Sequence, residues 1–248
     1  MKNVTSILAA TAITVGLGFA AQAQDTETRN LGSFDRVSAH EGIEVVLQEG
    51  NSNSAKITAK RIDLDEVLLD ISGGSLKIHL EGNNHNNVDV EVVVTYTGSL
   101  EGVRASSAAS VVCNDWLEAD DFEVDASSAG DVDVKVTADD IDVDGSSAGT
   151  IVLEVKAGDI DLDMSSSANI TISGTADDLE VDGSSAGDLR AYDLTVKDAD
   201  VSLSSGSHAK VNVSDNLRAR VSSGGGVRYK GSPRMDVNTS SGGTVKSN

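Results

Sequence analysis

Carboxylates are the commonest chemistry-bearing side chains in this 248-residue chain: 40 Asp and Glu against 19 Lys and Arg give a formal net charge of −21. Many recur at a fixed interval. Asp125, Asp144, Asp163 and Asp182 each sit two residues beyond another acid, Glu123, Asp142, Asp161 and Glu180 respectively. Paired carboxylates hydrolyse glycosides when two isolated groups face each other across a cleft. Here the pair recurs in four successive repeats, which removes its value as a glycosidase signal. Stacked about 5 Å apart in water, like charges repel by roughly 0.8 kcal/mol per neighbouring pair. Such columns have two uses. One is a weak surface for divalent cations or a cationic partner; the other, more ordinary, is a solvated face that keeps a β-rich protein soluble and blocks edge pairing. A calcium-roll reading meets a partial echo in Gly130-Asp131-Val132-Asp133, but the opposite turn, Thr137-Ala138-Asp139, lacks the glycines that those repeats require.

Nucleophiles and metal ligands are dispersed. There is no Gly-x-Ser-x-Gly elbow, and His40, His79, His85 and His208 share no ligand spacing. Ser207-His208 is a sequence neighbour pair with no orienting third group, and His85 stands in an Asn-rich turn. The single Cys113 follows Val111 and Val112 with no His or base nearby, so it reads as a small core residue, and one cysteine permits no internal disulfide. No glycine loop opens a helix to cradle a phosphate. The sequence therefore nominates no catalytic residue, no cofactor and no metal site.

The elements that must carry these side chains follow from a repeat. A Ser-Ser pair followed by a small residue begins at Ser106, Ser127, Ser146, Ser165, Ser184, Ser204, Ser222 and Ser240. Before it the chain alternates apolar and acidic, as in Ile141-Asp142-Val143-Asp144 and Ile160-Asp161-Leu162-Asp163. A period of two puts the aliphatics on one face of a strand and the carboxylates on the other. A second alternating run follows each corner, for example Ile151-Val152-Leu153-Glu154-Val155. Repeats this short cannot bury an apolar face alone, so they must stack as coils about 4.8 Å apart. In the Ser-Ser-Ala-Gly corner, Gly130, Gly149 and Gly187 are expected to take the unusual backbone angles, and the serine hydroxyls to bond corner backbone groups. The expected fold is all-β: a right-handed parallel β-solenoid (β-helix) of 18–21-residue coils, about eight of them over 103–248.

Residues 1–23 read as a secretory signal peptide, with Lys2, an apolar stretch and Ala21-Gln22-Ala23, and nothing later is apolar enough to span a bilayer. Residues 24–102 lack the serine pairs but hold strand-like runs, and are read as an N-terminal β-subdomain capping the first coil. No equivalent cap is evident at the C-terminus. Charge is uneven along the chain: residues 120–183 carry 18 acids and 2 bases, whereas 184–248 carry 6 acids and 9 bases. Arg218, Arg220, Arg228, Lys230 and Arg234 read as a patch for an anionic polysaccharide or for the acidic flank of another copy, or as charges guarding terminal edges. The overall acidity disfavours nucleic acid and anionic membrane as partners.

Phe34-Asp35-Arg36-Val37, Gly42-Ile43-Glu44-Val45-Val46-Leu47 and Gly74-Ser75-Leu76-Lys77-Ile78, followed by Ser-Ser-Ala and Ser-Ser-Gly repeats, form a layout that resembles the auto-transporter adhesin head domain family, the GIN domain. The resemblance spans nearly the whole mature chain. It implies an exported bacterial β-solenoid with an adhesin-like role and no established reaction, although no membrane-embedded barrel follows the repeats here. The expected function is a non-enzymatic binding or adhesion-like module of the bacterial envelope, in the periplasm, at the cell surface or secreted. Its ligand would be an unidentified protein or polysaccharide, or a second copy. Two alternatives stand beside it. A lyase-like enzyme on acidic polysaccharides would need Arg or Lys clustered beside acids in a cleft, and the central coils supply only Lys135 and Lys156. A self-assembling structural protein would use the uncapped end.

Overall fold

The computed structural model describes residues 25–82 and 88–248. The leader at 1–23 and the turn holding His85 lie outside the described residues.

Alternation of branched aliphatics with acids dictates the central architecture. The strands are β1 (Asp25–Asn30), β2 (Arg36–Ala39), β3 (Glu44–Glu49), β4 (Ser54–Lys60), β5 (Val67–Ser72), β6 (Ser75–Leu80) and β7 (Asp89–Tyr96) before the serine repeats. Within them come β8 (Gly102–Ser106), β9 (Ser110–Glu118), β10 (Asp121–Ser127), β11 (Asp131–Gly145), β12 (Thr150–Met164) and β13 (Asn169–Thr175). The stack ends with β14 (Asp178–Gly183), β15 (Asp188–Leu203), β16 (His208–Val221), β17 (Gly226–Lys230), β18 (Arg234–Thr239) and β19 (Thr244–Ser247). From β8 onward every pairing is parallel and joins equivalent residues, so Phe122, Ile141, Ile160 and Leu179 form one interior column. Val124, Val143, Leu162 and Val181 form the next, and all eight side chains are at most 2 % exposed. The protein is a parallel β-solenoid with two strands to each coil and two outer faces. Face A carries the strand before each serine corner, and face B the strand after it.

The corners reverse one sequence expectation. The second serine and the residue after it, and not Gly130, Gly149 or Gly187, adopt the left-handed conformation: φ is 48° at Ser147 and 62° at Ala148, and the same pair is left-handed in every serine corner, its second member being Ser167 in one and Gly206, Gly224 and Gly242 in the last three. The amide of Gly149 closes the turn on the carbonyl of Ser146 at 2.8 Å, which makes each corner a type I′ turn. Glycine serves close approach instead. A Cβ at Gly130 or Gly149 would lie 2.2 Å from the carbonyl oxygen of Ala105 or Ala126 in the preceding coil. Corner amides also bond between coils, Ala129 to Ser147 and Ala148 to Ser166, each at 3.0 Å, so the parallel ladder runs through the turns without a break. The corner hydroxyl that bonds backbone does not belong to a serine pair: Ser207, standing where most corners have glycine, donates to the carbonyls of Gly183 and Ser204 at 2.9 and 2.7 Å.

The N-terminal segment feeds the same stack in a different order. β2 lies between β6 and β8, and β3 between β7 and β9, all in parallel. The β6–β7 tier therefore sits outside the β2–β3 tier that precedes it in sequence. His40-Glu41-Gly42-Ile43 makes the β2–β3 corner with the same paired left-handed residues, Glu41 (φ 61°) and Gly42 (φ 72°), without any serine. Antiparallel strands finish this end, β5 on β6 and β4 on β7, with β1 outside β4. They supply the cap expected of this region, because an antiparallel outer strand interrupts the parallel stacking that would otherwise continue. At the opposite end, Met235 and Val237 are 40 % and 43 % exposed in the interior columns that Leu217 and Ala219 fill one tier earlier.

A left-handed residue with a Cβ is strained by roughly 1–2 kcal/mol, while glycine returns about 0.4–1 kcal/mol through the freer unfolded chain. Ala148→Gly is therefore expected to stabilise the protein by about 0.5 kcal/mol. Gly149→Ala, one residue on, should destabilise it by about 3 kcal/mol through steric overlap with the coil below. Urea midpoints of the two variants test the assignment; a neutral G149A would mean that the glycine is not held by close approach.

Candidate binding faces

The outward residues of face A form three columns in strict register. Asp121, Asp140, Asp159, Asp178 and Asp198 make one, and Glu123, Asp142, Asp161, Glu180 and Asp200 the next. The third, Asp125, Asp144, Asp163 and Asp182, continues to Arg104 below and to Ser202 and Arg220 above. Between this third column and the serine corners runs a groove of about 840 Å³, lined by Asp144, Asp163 and Asp182 with Ser146, Ser165 and Ser184. The acidic columns read from sequence are thus brought together.

Crowding shows in their proton affinities. Asp144 is raised above its ordinary value by partial burial, then by the charges of Asp125 and Asp163. Asp163 is raised by burial, then by Asp182 and Asp161. Asp125 is also raised, because its burial outweighs the Arg104 guanidinium 3.2 Å away. Among the described residues, no cluster of three or more His, Cys, Asp or Glu side chains forms a metal-binding group.

The basic patch read from sequence is not one surface. Arg218, Arg220 and Arg234 lie on face A. Arg218 reaches Asp200 and Asp236, each at 3.4 Å, and Arg220 reaches Asp200 at 3.1 Å. Arg228 and Lys230 follow the next corner and so belong to face B. The reason is geometric: a type I′ corner carries the chain to the other sheet, so bases ten residues apart in sequence are separated by the core. Face B holds a column that sequence spacing did not reveal, Arg190, Lys210, Arg228 and Lys246, one base per tier. Its signal was the common position four residues beyond the small residue of each corner. The central bases are engaged, Lys135 with Glu154 at 3.3 Å and Lys156 over the Trp116 ring at 4.2 Å.

The remaining nominated groups occupy separate places. Cys113 is buried, and burial pushes its thiol pKa up. Ser207 is buried in a corner while His208 is exposed on face B. His79 meets Asp70 at 2.8 Å. His40 takes the corner position of a first serine and is held between the hydroxyls of Ser106 (2.7 Å from Nδ1) and Ser38 (2.8 Å from Nε2). With a hydroxyl where a hydrolase triad has a carboxylate, its second ring nitrogen lacks an orienting acid. Burial, followed by the charge of Lys77, lowers its pKa.

A two-faced parallel solenoid whose polar residues form ladders belongs to the class of repeat proteins that present extended surfaces. The family described as "Putative auto-transporter adhesin, head GIN domain" matches residues 33–159 and again 146–233, and the chain belongs to this family. Among solved structures, a "putative adhesin" from Parabacteroides merdae superposes with a TM-score of 0.82 at 20 % identity, covering 91 % of this chain and 96 % of that one. A "putative adhesin" from Parabacteroides distasonis gives 0.79 at 21 % identity, over 92 % and 98 %. A "putative lipid binding protein" from Parabacteroides distasonis gives 0.75 at 17 % identity, over 91 % and 96 %. At such identities the likeness establishes the fold. No curated protein is significantly similar in sequence.

A carboxyl whose pKa is raised on folding opposes the fold once ionised: the handicap is absent below the unfolded value of 3.8 and complete above the folded value. Asp144→Asn/Asp163→Asn removes the neighbour pairs 125–144, 144–163 and 163–182 and is therefore expected to be more stable than the parent at pH 7 by about 2 kcal/mol in low salt, given roughly 0.8 kcal/mol per pair. The difference should shrink in 1 M NaCl and again as pH falls toward 3.8. Melting curves at two salts and three pH values check this; a variant no more stable than the parent would mean that the column carries no repulsion.

Proposed function

We propose that the protein is a non-enzymatic, exported binding module of the bacterial envelope, adhesin-like in that a rigid solenoid offers flat charged faces to a partner. The observation that supports it is the regularity of those faces: polar groups repeat at tier spacing along the stack instead of converging on one point. A reaction centre needs converging groups around a reacting atom; a ladder suits an extended or repetitive partner. Membership of the adhesin head family favours the same reading. No helix among the described residues is long and apolar enough to cross a membrane.

A glycan array probed with the purified protein, followed by titration of each hit, tests the reading. Saturable binding of a polymer without loss of its length is the expected result. Conversion of the polymer to shortened, unsaturated products would instead establish the lyase-like alternative. The exposed Met235 and Val237 at the open tier favour a second reading, end-to-end self-assembly. Under it, light scattering would show a mass that rises with protein concentration and falls in Met235→Lys/Val237→Lys.

A further inference from the structure

From the paired and unpaired cations of the last tiers, we infer that the Arg190–Lys210–Arg228–Lys246 column on face B is a docking strip for a linear acidic polysaccharide lying along the solenoid axis. The inference rests on the binding-module reading above and assigns it a face and a ligand chemistry. Arg190, Arg228 and Lys246 are exposed and Lys210 half-buried, and parallel register places them in consecutive tiers. At about 4.8 Å per tier the four span about 14 Å in a line. Lys230 stands beside them, its ammonium 4.5 Å from the centre of the Tyr192 ring.

Most of these bases lack an acidic partner. Arg190 is paired with Asp188 at 2.6 Å. Among the described residues, Lys210, Arg228, Lys230 and Lys246 have no carboxylate within 4.0 Å, whereas Arg218 and Arg220 on face A share Asp200. A protein with net charge −21 that leaves four cations unpaired on one strip presents them to something outside itself. The acidic columns do not cancel the strip. They project into solvent from the opposite sheet, so the path through water between the two sets of charges runs around the molecule, well beyond one screening length of about 8 Å at physiological ionic strength.

Magnitudes decide between an acidic polymer and the acidic face of a second copy. Each exposed ion pair strengthens association by about fivefold at most, and four together do not offset the translational and rotational freedom that two proteins lose on meeting. A polyanion with a charge on every unit surrenders condensed counterions to each base that meets it, a gain that two folded proteins lack. Nucleic acid shares that driving force, but single strands also need aromatic platforms. On this strip Tyr192 is already covered by Lys230. One acidic group per sugar, as in a polyuronate, matches one base per tier.

The test uses the whole protein with alginate as the probe, neutral dextran as the control, and EDTA throughout so that calcium cannot bridge alginate to face A. Binding is measured by titration between 0.1 and 0.4 M NaCl. The expected result is retention of alginate and not dextran. Lys210→Gln/Arg228→Gln should bind at least tenfold more weakly, with a log–log salt slope shallower by about 1.4, from roughly 0.7 for each of the two lost contacts on a flexible chain. Arg218→Gln/Arg220→Gln should bind like the parent. Besides an unaffected face B variant, three results would overturn the assignment: no binding of alginate, equal weakening by the face A variant, or a salt-sensitive increase in the mass of the free protein that K210Q/R228Q abolishes. If the face B variant is unaffected while array hits persist, the strip is wrong and the binding-module reading survives; if the array is blank as well, both fail.

Discussion

Each serine corner from Ser106 to Ser222 hands one amide to the corner above it, and that bond forms only if two consecutive residues turn left-handed. The rest of the molecule inherits its regularity from this requirement. A corner with one residue more or fewer would slide all later strands by a step and turn the aliphatics outward. The coils nevertheless vary in length, and the variation is placed away from the corners. The coil from Ser106 to Ser127 takes up its extra residues in β9, where the partners of Asp133 and Lys135 jump from Val112 to Trp116. The coil from Ser184 to Ser204 does so in β15, between Arg190 and Asp193. Both irregularities fall on face B. Face A keeps unbroken register from β8 to β18.

The two faces consequently differ in kind. On face A, strict register converts a sequence preference for acid into continuous charge columns. On face B, the bulged strands bring aromatic rings to positions where bases cover them, Lys156 over Trp116 and Lys230 over Tyr192. The same irregularity separates a mixed central region from the basic column of the last tiers. Neither face is enclosed, so a partner would meet each as an open surface.

What could be read from the chain follows from which interactions are local. Alternation is local, and it placed the aliphatics of 122–181 inside and their acids outside. The serine pair marked eight corners but hid a ninth, because the turn needs left-handed backbone, which Glu41-Gly42 supplies as well as Ser-Ala does. The glycines were misread for a related reason: the conformation of Gly149 is ordinary, and the carbonyl of a neighbouring coil, a non-local feature, forbids its side chain. The placement of the β6–β7 tier outside β2–β3 is likewise a choice among pairings of similar strands. The basic patch was misjudged because spacing along the chain ignores the corner at Ser222, which sends Arg220 and Arg228 to opposite faces.

Surface charge on face A changes along the stack while the core beneath it keeps a similar volume. The interior trios under the acidic tiers include Ile141, Val143 and Gly145 and then Leu179, Val181 and Gly183; toward the C-terminus they are Ala199, Val201 and Leu203 and then Leu217, Ala219 and Val221. Large and small residues exchange places between columns, so a small side chain in one column is offset by a larger one beside it in the same tier. Repulsion of roughly 0.8 kcal/mol between each stacked carboxylate pair, a figure that salt reduces further, is therefore set against similar apolar burial in each of these tiers. Above Asp200 the column changes sign, and Arg218 and Arg220 both reach that carboxylate. Exposed pairs of that kind add little stability themselves, but they end the run of like charges. The sign of the charge on face A is thus set by its outward residues and not by the aliphatic volume beneath them.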